Sequence, residues 1–224
     1  MKVSELIDQL VSSDLKQTSL ADIGTVETRE YNPGQLSNLN TLVGFVNQGL
    51  LELYKRFHLR VEAIEVDADE YDKNLPVAVP DKVLSLLRVE DSLGEIIPLD
   101  DLETEWQYKN KVYKGMYVKT VAVNKFTVQG DYPRPGLELF FYCLMSPEIV
   151  KINSVIAIPA SFQEPLINYI IYRGYSTVIA VSNVENRGLD YKKRYEDSCK
   201  ELEKITNHLY DYIDYNRLSA RGFV

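Results

Sequence analysis

The chain has 224 residues, 45% of them hydrophobic and 26% charged, the balance of a globular protein large enough to bury a full core. A net charge of −8 repels phosphate and argues against a sequence-reading nucleic-acid binder. Two cysteines, Cys143 and Cys199, are too few and too far apart for a disulfide framework or a zinc site, and no apolar run reaches membrane-spanning length.

The N-terminus, MKVSELIDQLVSSDLK, has no apolar signal core, so a cytosolic product with free, buried thiols is expected. Ser4 is placed to cap a first helix in which Leu6, Ile7, Leu10 and Val11 share a face. Residues 17–35, with Gly24 and Asn32-Pro33-Gly34, read as a polar connection. In the longer second helix, Leu39, Leu42, Val43, Val46, Leu50, Leu53, Tyr54 and Phe57 make a continuous apolar stripe. Gly44 and Gly49 each cost that helix about 1 kcal/mol relative to Ala. Either another backbone approaches them closely, or they are neutral surface positions.

From Val61 the period changes to that of strands. Val61, Ala63, Ile64 and Val66 form the first, before the acidic loop VDADEYDKN. The pattern of Val77–Val89 is not clear. Ile96-Ile97-Pro98-Leu99 is a short extended segment, and Tyr117–Val123, Phe126–Gln129 and Leu137–Leu144 are the clearest strands. The last two flank a rigid DYPRPG turn, and its prolines suggest edge strands. An apolar strand through Ile158-Pro159 then leads into a third helix, opened by Pro159 or Ser161 and carrying Phe162, Leu166, Tyr169, Ile170 and Arg173. The fourth helix starts near Leu189. Its stripe of Tyr195, Cys199, Leu202, Ile205, Thr206, Leu209 and Ile213 suits packing on the second helix. NRLSARGFV reads as an extended tail.

The parts make an α+β fold over 1–224 as one domain. Residues 1–60 are helical, 61–158 a β-rich antiparallel insert, 159–214 helical again, and 215–224 an extended tail. Charge is uneven within it: residues 62–105 hold 14 acids and 3 bases, whereas 106–134 hold 6 bases and one acid. Such opposed patches suit contacts between copies of one chain, although a solvated surface is the commoner outcome. The 16 tyrosines suit half-buried interfaces.

Chemistry is thinly represented. His58 and His208 lack partners at catalytic or metal-ligand spacing. The acids Asp67, Asp69, Glu70 and Asp72 fail the calcium-loop pattern, which demands glycine sixth and glutamate twelfth where Asp72 and Ala78 stand. No phosphate loop, dinucleotide fingerprint or nucleophile elbow occurs, so neither an enzyme nor a cofactor is expected. An enzymatic reading would need a pocket that gathers His58, Asp100 and Glu103. The C-terminal run is richer in interface chemistry: Tyr212, Tyr215, Arg217, Leu218, Arg221 and Phe223 mix aromatic, basic and apolar groups typical of docking anchors. A frayed terminus is the plain alternative.

In series, LNTLVGFVNQGLLELYKRF, VEAIEVDADEYDKNLPVAVPDKVLSLLRVE, FTVQGDYPRPGLELFFYCLMSP and IAIPASFQEPLINYIIYRGYS resemble the head-to-tail adaptor proteins of tailed phages, over most of residues 36–180. Residues 91–118, with Trp106, depart from that pattern. The resemblance implies a structural virion protein at the head–tail junction, a ring of identical subunits with twelve as the expected number. Its partners would be the portal protein, downstream tail or neck proteins and further copies of itself, with DNA only as non-specific cargo and no membrane. It also implies that the helical part faces the portal, the β part faces the tail, and the C-terminal segment grips the portal. The alternatives are a stopper or tail terminator, which are more completely β-built, or an assembly module unrelated to phages.

Overall fold

The computed structural model describes residues 1–23, 32–66, 77–94, 96–97, 99–100, 117–122, 125–129, 138–177 and 187–205. The chain divides into two compact units, Met1–Leu53 with Glu148–Val224, and Tyr54–Pro147. Among the described residues there are four α-helices and two four-stranded sheets, an α+β fold.

The first unit is helical. Helix α1 (Val3–Ser12) buries Val3, Leu6, Ile7 and Leu10 as its period dictates. It starts one residue before Ser4. The Lys2 amide donates to Glu5 Oε2 (3.1 Å), and the amides of Val3 and Ser4 donate to the carbonyls of Ser154 and Ile152, both 3.0 Å. First-turn amides have no partner inside a helix, so returning backbone does here what a serine cap does elsewhere. The Ile156 amide donates to the Met1 carbonyl (2.9 Å), and Lys2 bridges Val155. The expected strand before Pro159 is thus a single bridge followed by extended chain, with Pro159 capping a 3₁₀ turn at Ala160–Phe162.

Helix α2 (Pro33–Phe57) begins inside the stretch read as a connection. Asn32 Oδ1 accepts from the Gln35 amide (2.8 Å) while Gln35 Oε1 accepts from the Asn32 amide (3.1 Å). This reciprocal box, with Pro at the first helical position, is a start signal. Leu39, Leu42, Val46, Leu50, Leu53 and Phe57 are buried as expected, and Phe45 joins them. The helix ends at His58, whose φ of 48° is left-handed.

Helix α3 (Gln163–Thr177) buries Leu166, Ile170 and Ile171. A Cβ added at Gly49 would lie 2.7 Å from Leu166 Cδ1 and 2.9 Å from Tyr169 Cδ1, whereas one at Gly44 meets nothing within 4 Å. The two glycines of α2 therefore have different roles: Gly49 admits side chains of α3 rather than a second backbone, and Gly44 sits in open space. Asn47, nearby on α2, clamps the returning chain, its Nδ2 donating to the Val150 carbonyl (3.0 Å) and its Oδ1 accepting from the Val150 amide (2.8 Å). Helix α4 comprises residues 187–205. Its described ring contacts run to α3, through Tyr195 against Tyr169 (centroids 5.4 Å) and Tyr191 stacked on Tyr175 (6.2 Å). Ile205, assigned to its buried stripe, is 59% exposed.

The second unit holds both sheets. One has the order β1 (Val61–Val66), β8 (Leu139–Met145), β3 (Val83–Asp91), β4 (Ile96–Ile97). The other has β2 (Val77–Ala78), β7 (Lys125–Gln129), β6 (Tyr117–Ala122), β5 (Leu99–Asp100). Pairing is antiparallel except between β5 and β6, which run parallel. The sheets share one core that includes Val89, Val118, Phe126, Val128, Leu139 and Phe141, with the Phe126 and Phe141 rings 6.3 Å apart. Cys143 is buried in this core, and desolvation pushes its thiol up to about 11; Cys199 is also free and buried. A thiol so raised is inert at neutral pH.

The strands on either side of DYPRPG are not edge strands. β7 and β8 lie in different sheets, each between two neighbours. The turn itself, the acidic loop 67–76 and residues 101–116 lie outside the described residues.

Gly44→Ala should raise stability by up to about 1 kcal/mol, the propensity gain of an open helical position. Gly49→Ala should instead lower it by about 1–3 kcal/mol, because buried Leu166 and the Tyr169 ring must shift. Thermal unfolding of the two variants beside the wild type reads this difference in sign.

Candidate functional site

All six C-terminal docking candidates, Tyr212, Tyr215, Arg217, Leu218, Arg221 and Phe223, lie outside the described residues. Of the trio needed for an enzymatic pocket, only the His58 side chain is described, and it is exposed at the end of α2. Among the described residues, no group of three His, Cys, Asp or Glu side chains is placed to hold a metal ion. No described helix is long and apolar enough to cross a membrane.

The described residues do build a cleft in the helical unit, about 320 Å³ in volume. One wall is the turn around Leu15. The Leu15 side chain is fully buried, and its Cδ2 stands 2.7 Å from where a Cβ on Gly174 would be. The turn after α1 is closed by Leu15 N–H to the Leu10 carbonyl (2.8 Å) and Thr18 N–H to the Leu15 carbonyl (2.9 Å). The Thr18 hydroxyl adds a second bond to the Leu15 carbonyl at 2.7 Å. With Leu15 pinned inward, the polar residues beside it line the cleft.

The opposite wall comes from α4, held by two tyrosines. The Tyr175 hydroxyl donates to the Asp14 carbonyl and the Tyr191 hydroxyl to Asp14 Oδ1, both at 2.6 Å. The Ser13 hydroxyl shares its proton between the Gln9 carbonyl (2.7 Å) and the other Asp14 carboxylate oxygen (2.9 Å). Burial, and then the hydrogen bond to the Asp14 carboxylate and its charge, push the Tyr191 hydroxyl up to about 12, against a smaller opposing effect of Arg194. Arg194 lies over the Tyr191 ring, 5.0 Å from its centroid, and Arg187 Nη1 donates to Gln17 Oε1 at 2.8 Å. Lys16 and Asp190 complete the charged lining. The arrangement is polar, held by hydroxyls and open to solvent, which suits binding of charged side chains more than chemistry.

Sequence reasoning did not find this cleft. Asp14 and Tyr191 share no motif, and only the aromatic enrichment of 169–195 hinted that two helices meet there.

The sequence model described as SU10 adaptor protein matches residues 1–217. No curated protein matches the chain.

With its hydroxyl raised above the ordinary 10, Tyr191 keeps its proton in the folded protein where the unfolded chain loses it. Its contribution is therefore complete below about pH 10 and is lost as the pH climbs towards about 12. Wild-type stability should fall more steeply over that window than that of Tyr191→Phe, measured by urea unfolding at stepped pH. Equal slopes would remove the assignment.

Proposed function

The chain belongs to the SU10 adaptor protein family, a phage head-to-tail adaptor family, and from that premise we propose that it forms a homo-oligomeric ring at the head–tail junction. A phage adaptor is a virion-associated structural protein that works through contacts with other head and tail proteins. The ring binds the portal on one side, offers the attachment platform for the tail on the other, and encloses a channel for DNA. The observation that carries this reading is the extent of the family match, which takes in both helical stretches and the β unit between them. The helices α1 to α4 favour an adaptor over a stopper or tail terminator, which are more completely β-built.

Docking on the portal is assigned to the C-terminal segment. Tyr212, Tyr215 and Arg217 fall within the matched residues, and Leu218, Arg221 and Phe223 follow directly. Aromatic and arginine side chains bury large area at low entropic cost, and a tail that orders in a groove needs such anchors. The acid-rich stretch 62–105 suits a channel wall, since a negative surface lets DNA pass without the phosphate contacts that create affinity.

Deleting residues 210–224 should abolish binding to the portal, read by co-sedimentation, while the far-ultraviolet helical signal persists. Portal binding by the truncated chain would sink the docking assignment. Replacing the acids of 62–105 by their amides should slow DNA ejection in assembled particles; unchanged retention and ejection would remove the channel role from this stretch.

A further inference from the structure

Among the described residues, β1 is the one long strand that ends a sheet. It has six residues, whereas β2, β4 and β5, at the other sheet ends, have two each. Its pairing with β8 runs from Val61 to Val66 without a bulge. The Met145 amide donates to the Arg60 carbonyl (2.9 Å), and this bond fixes the phase of the ladder. Residues 60, 62, 64 and 66 therefore face β8 with their amides and carbonyls, and those of Val61, Ala63 and Glu65 point out of the sheet. All three residues are exposed, and among the described residues no group bonds their backbone. Sheet edges are commonly blunted by lysine, proline or a bulge, and β1 has none of these. We propose that this edge is a docking site for an added strand, and that its occupant is the basic segment 106–114 of a second copy, as a subunit contact of the ring; it rests on the ring reading.

Topology, length and charge single out that segment. Residues 101–116 join β5 to its parallel neighbour β6, so they leave and return at the same end of the second sheet. Only Pro98 separates β5 from β4, which places that departure beside the β4 end of the first sheet. β1 lies at the opposite end, three strand spacings or about 14 Å away. Laying six residues on the chain's own β1 would leave about five for each arm, which span at most about 17 Å and are nearly consumed by the crossing. The same segment directed outward meets a neighbour's β1 without that stretch. Its core, WQYKNKVYK over 106–114, holds no acid, proline or glycine, and sets Lys109, Lys111 and Lys114 among aromatic and β-branched residues that favour strands. On β1, Glu62 is engaged by Arg60 at 2.7 Å, so exposed Glu65 is the acid that a lysine of the added strand meets, with Val61 and Ala63 beside it for apolar contact. Donor and acceptor at opposite ends of one unit make a heterologous contact, which propagates head to tail and generates a ring where the rotation closes. Pairing of β1 with β1 would stop at two chains.

The test uses the full chain and a labelled synthetic peptide of residues 104–116, followed by fluorescence anisotropy, beside a scrambled peptide of the same composition. The peptide should bind the wild type and lose about tenfold or more in affinity in Ala63→Pro, which removes an outward amide and leaves the ladder with β8 whole. Glu65→Lys, a single exposed change, should give a smaller loss that shrinks as salt rises, and it guards against misfolding of the proline variant. In a second arm, Ala63→Cys and Lys111→Cys chains are mixed on a portal with a short bis-maleimide, the native cysteines being buried. Linked pairs should require both variants. No binding of the peptide, equal binding of the scrambled one, or equal binding by Ala63→Pro would each overturn the proposal. So would linkage of Ala63→Cys to itself, the mark of β1 paired with β1, or a link closed within single chains that carry both changes, the mark of the chain's own segment. Rings seen by electron microscopy on a portal with Ala63→Pro would sink the β1 contact and keep the ring. Peptide bound as expected with no ring on any portal would sink the ring reading while the strand docking stood.

Discussion

The helical unit depends on how the chain closes on itself after its excursion through residues 54–147. Chain ends brought together across so long a stretch carry a loop-closure cost, which grows only slowly with length but must be offset by contacts at the junction. Here the contacts are main-chain hydrogen bonds. The returning segment 150–156 gives carbonyls to the first turn of α1, takes one from Met1, and is gripped at Val150 by Asn47. Each bond satisfies a group that would otherwise be left over: amides at a helix start, or the backbone of a segment that belongs to no sheet. Ile149, beside the clamp, is left 84% exposed on a stretch whose backbone is fixed.

Packing within the unit follows from that closure. Gly49 allows Leu166 and Tyr169 to lie against α2, and Gly174 does the same for Leu15 on α3. Two small residues thus set two close approaches, and the second also pins the turn from which the charged cleft is built. Between α3 and α4 the joint is aromatic. Tyr169, Tyr172, Tyr175, Tyr191 and Tyr195 form a seam in which rings bury area while hydroxyls reach polar partners. Part of the tyrosine excess therefore serves the interior of the helical unit itself.

The β unit shows why some strands were legible and others were not. β8 alternates from Leu139 to Cys143, with Leu139, Phe141 and Cys143 facing the core before Leu144 and Met145 are buried as well, and its existence is plain from its residues. β3 is not, because its pairing with β8 shifts register between Val83 and Ser85 and again between Leu86 and Arg88. Each irregularity breaks the two-residue period that reveals a strand. On the other face Arg88 lies 4.2 Å from the Tyr142 ring centroid, so a charged residue sits mid-strand at no apparent cost to the sheet.

What the sequence determined by itself was local: the helical stripes, the strand periods and the ordered series of segments that marks a head-to-tail adaptor. These are set by spacing along the chain and by groups a few residues apart, as the Asn32–Gln35 box shows. Only the tertiary structure decided which sheet each strand joins, which glycine of α2 is indispensable, and that Asp14, Arg187 and Arg194 border one cleft. The reason is that a partner's identity depends on residues far away in sequence. β7 and β8 are consecutive in the chain yet pair in different sheets, and Gly44 and Gly49 are alike until α3 arrives beside one of them.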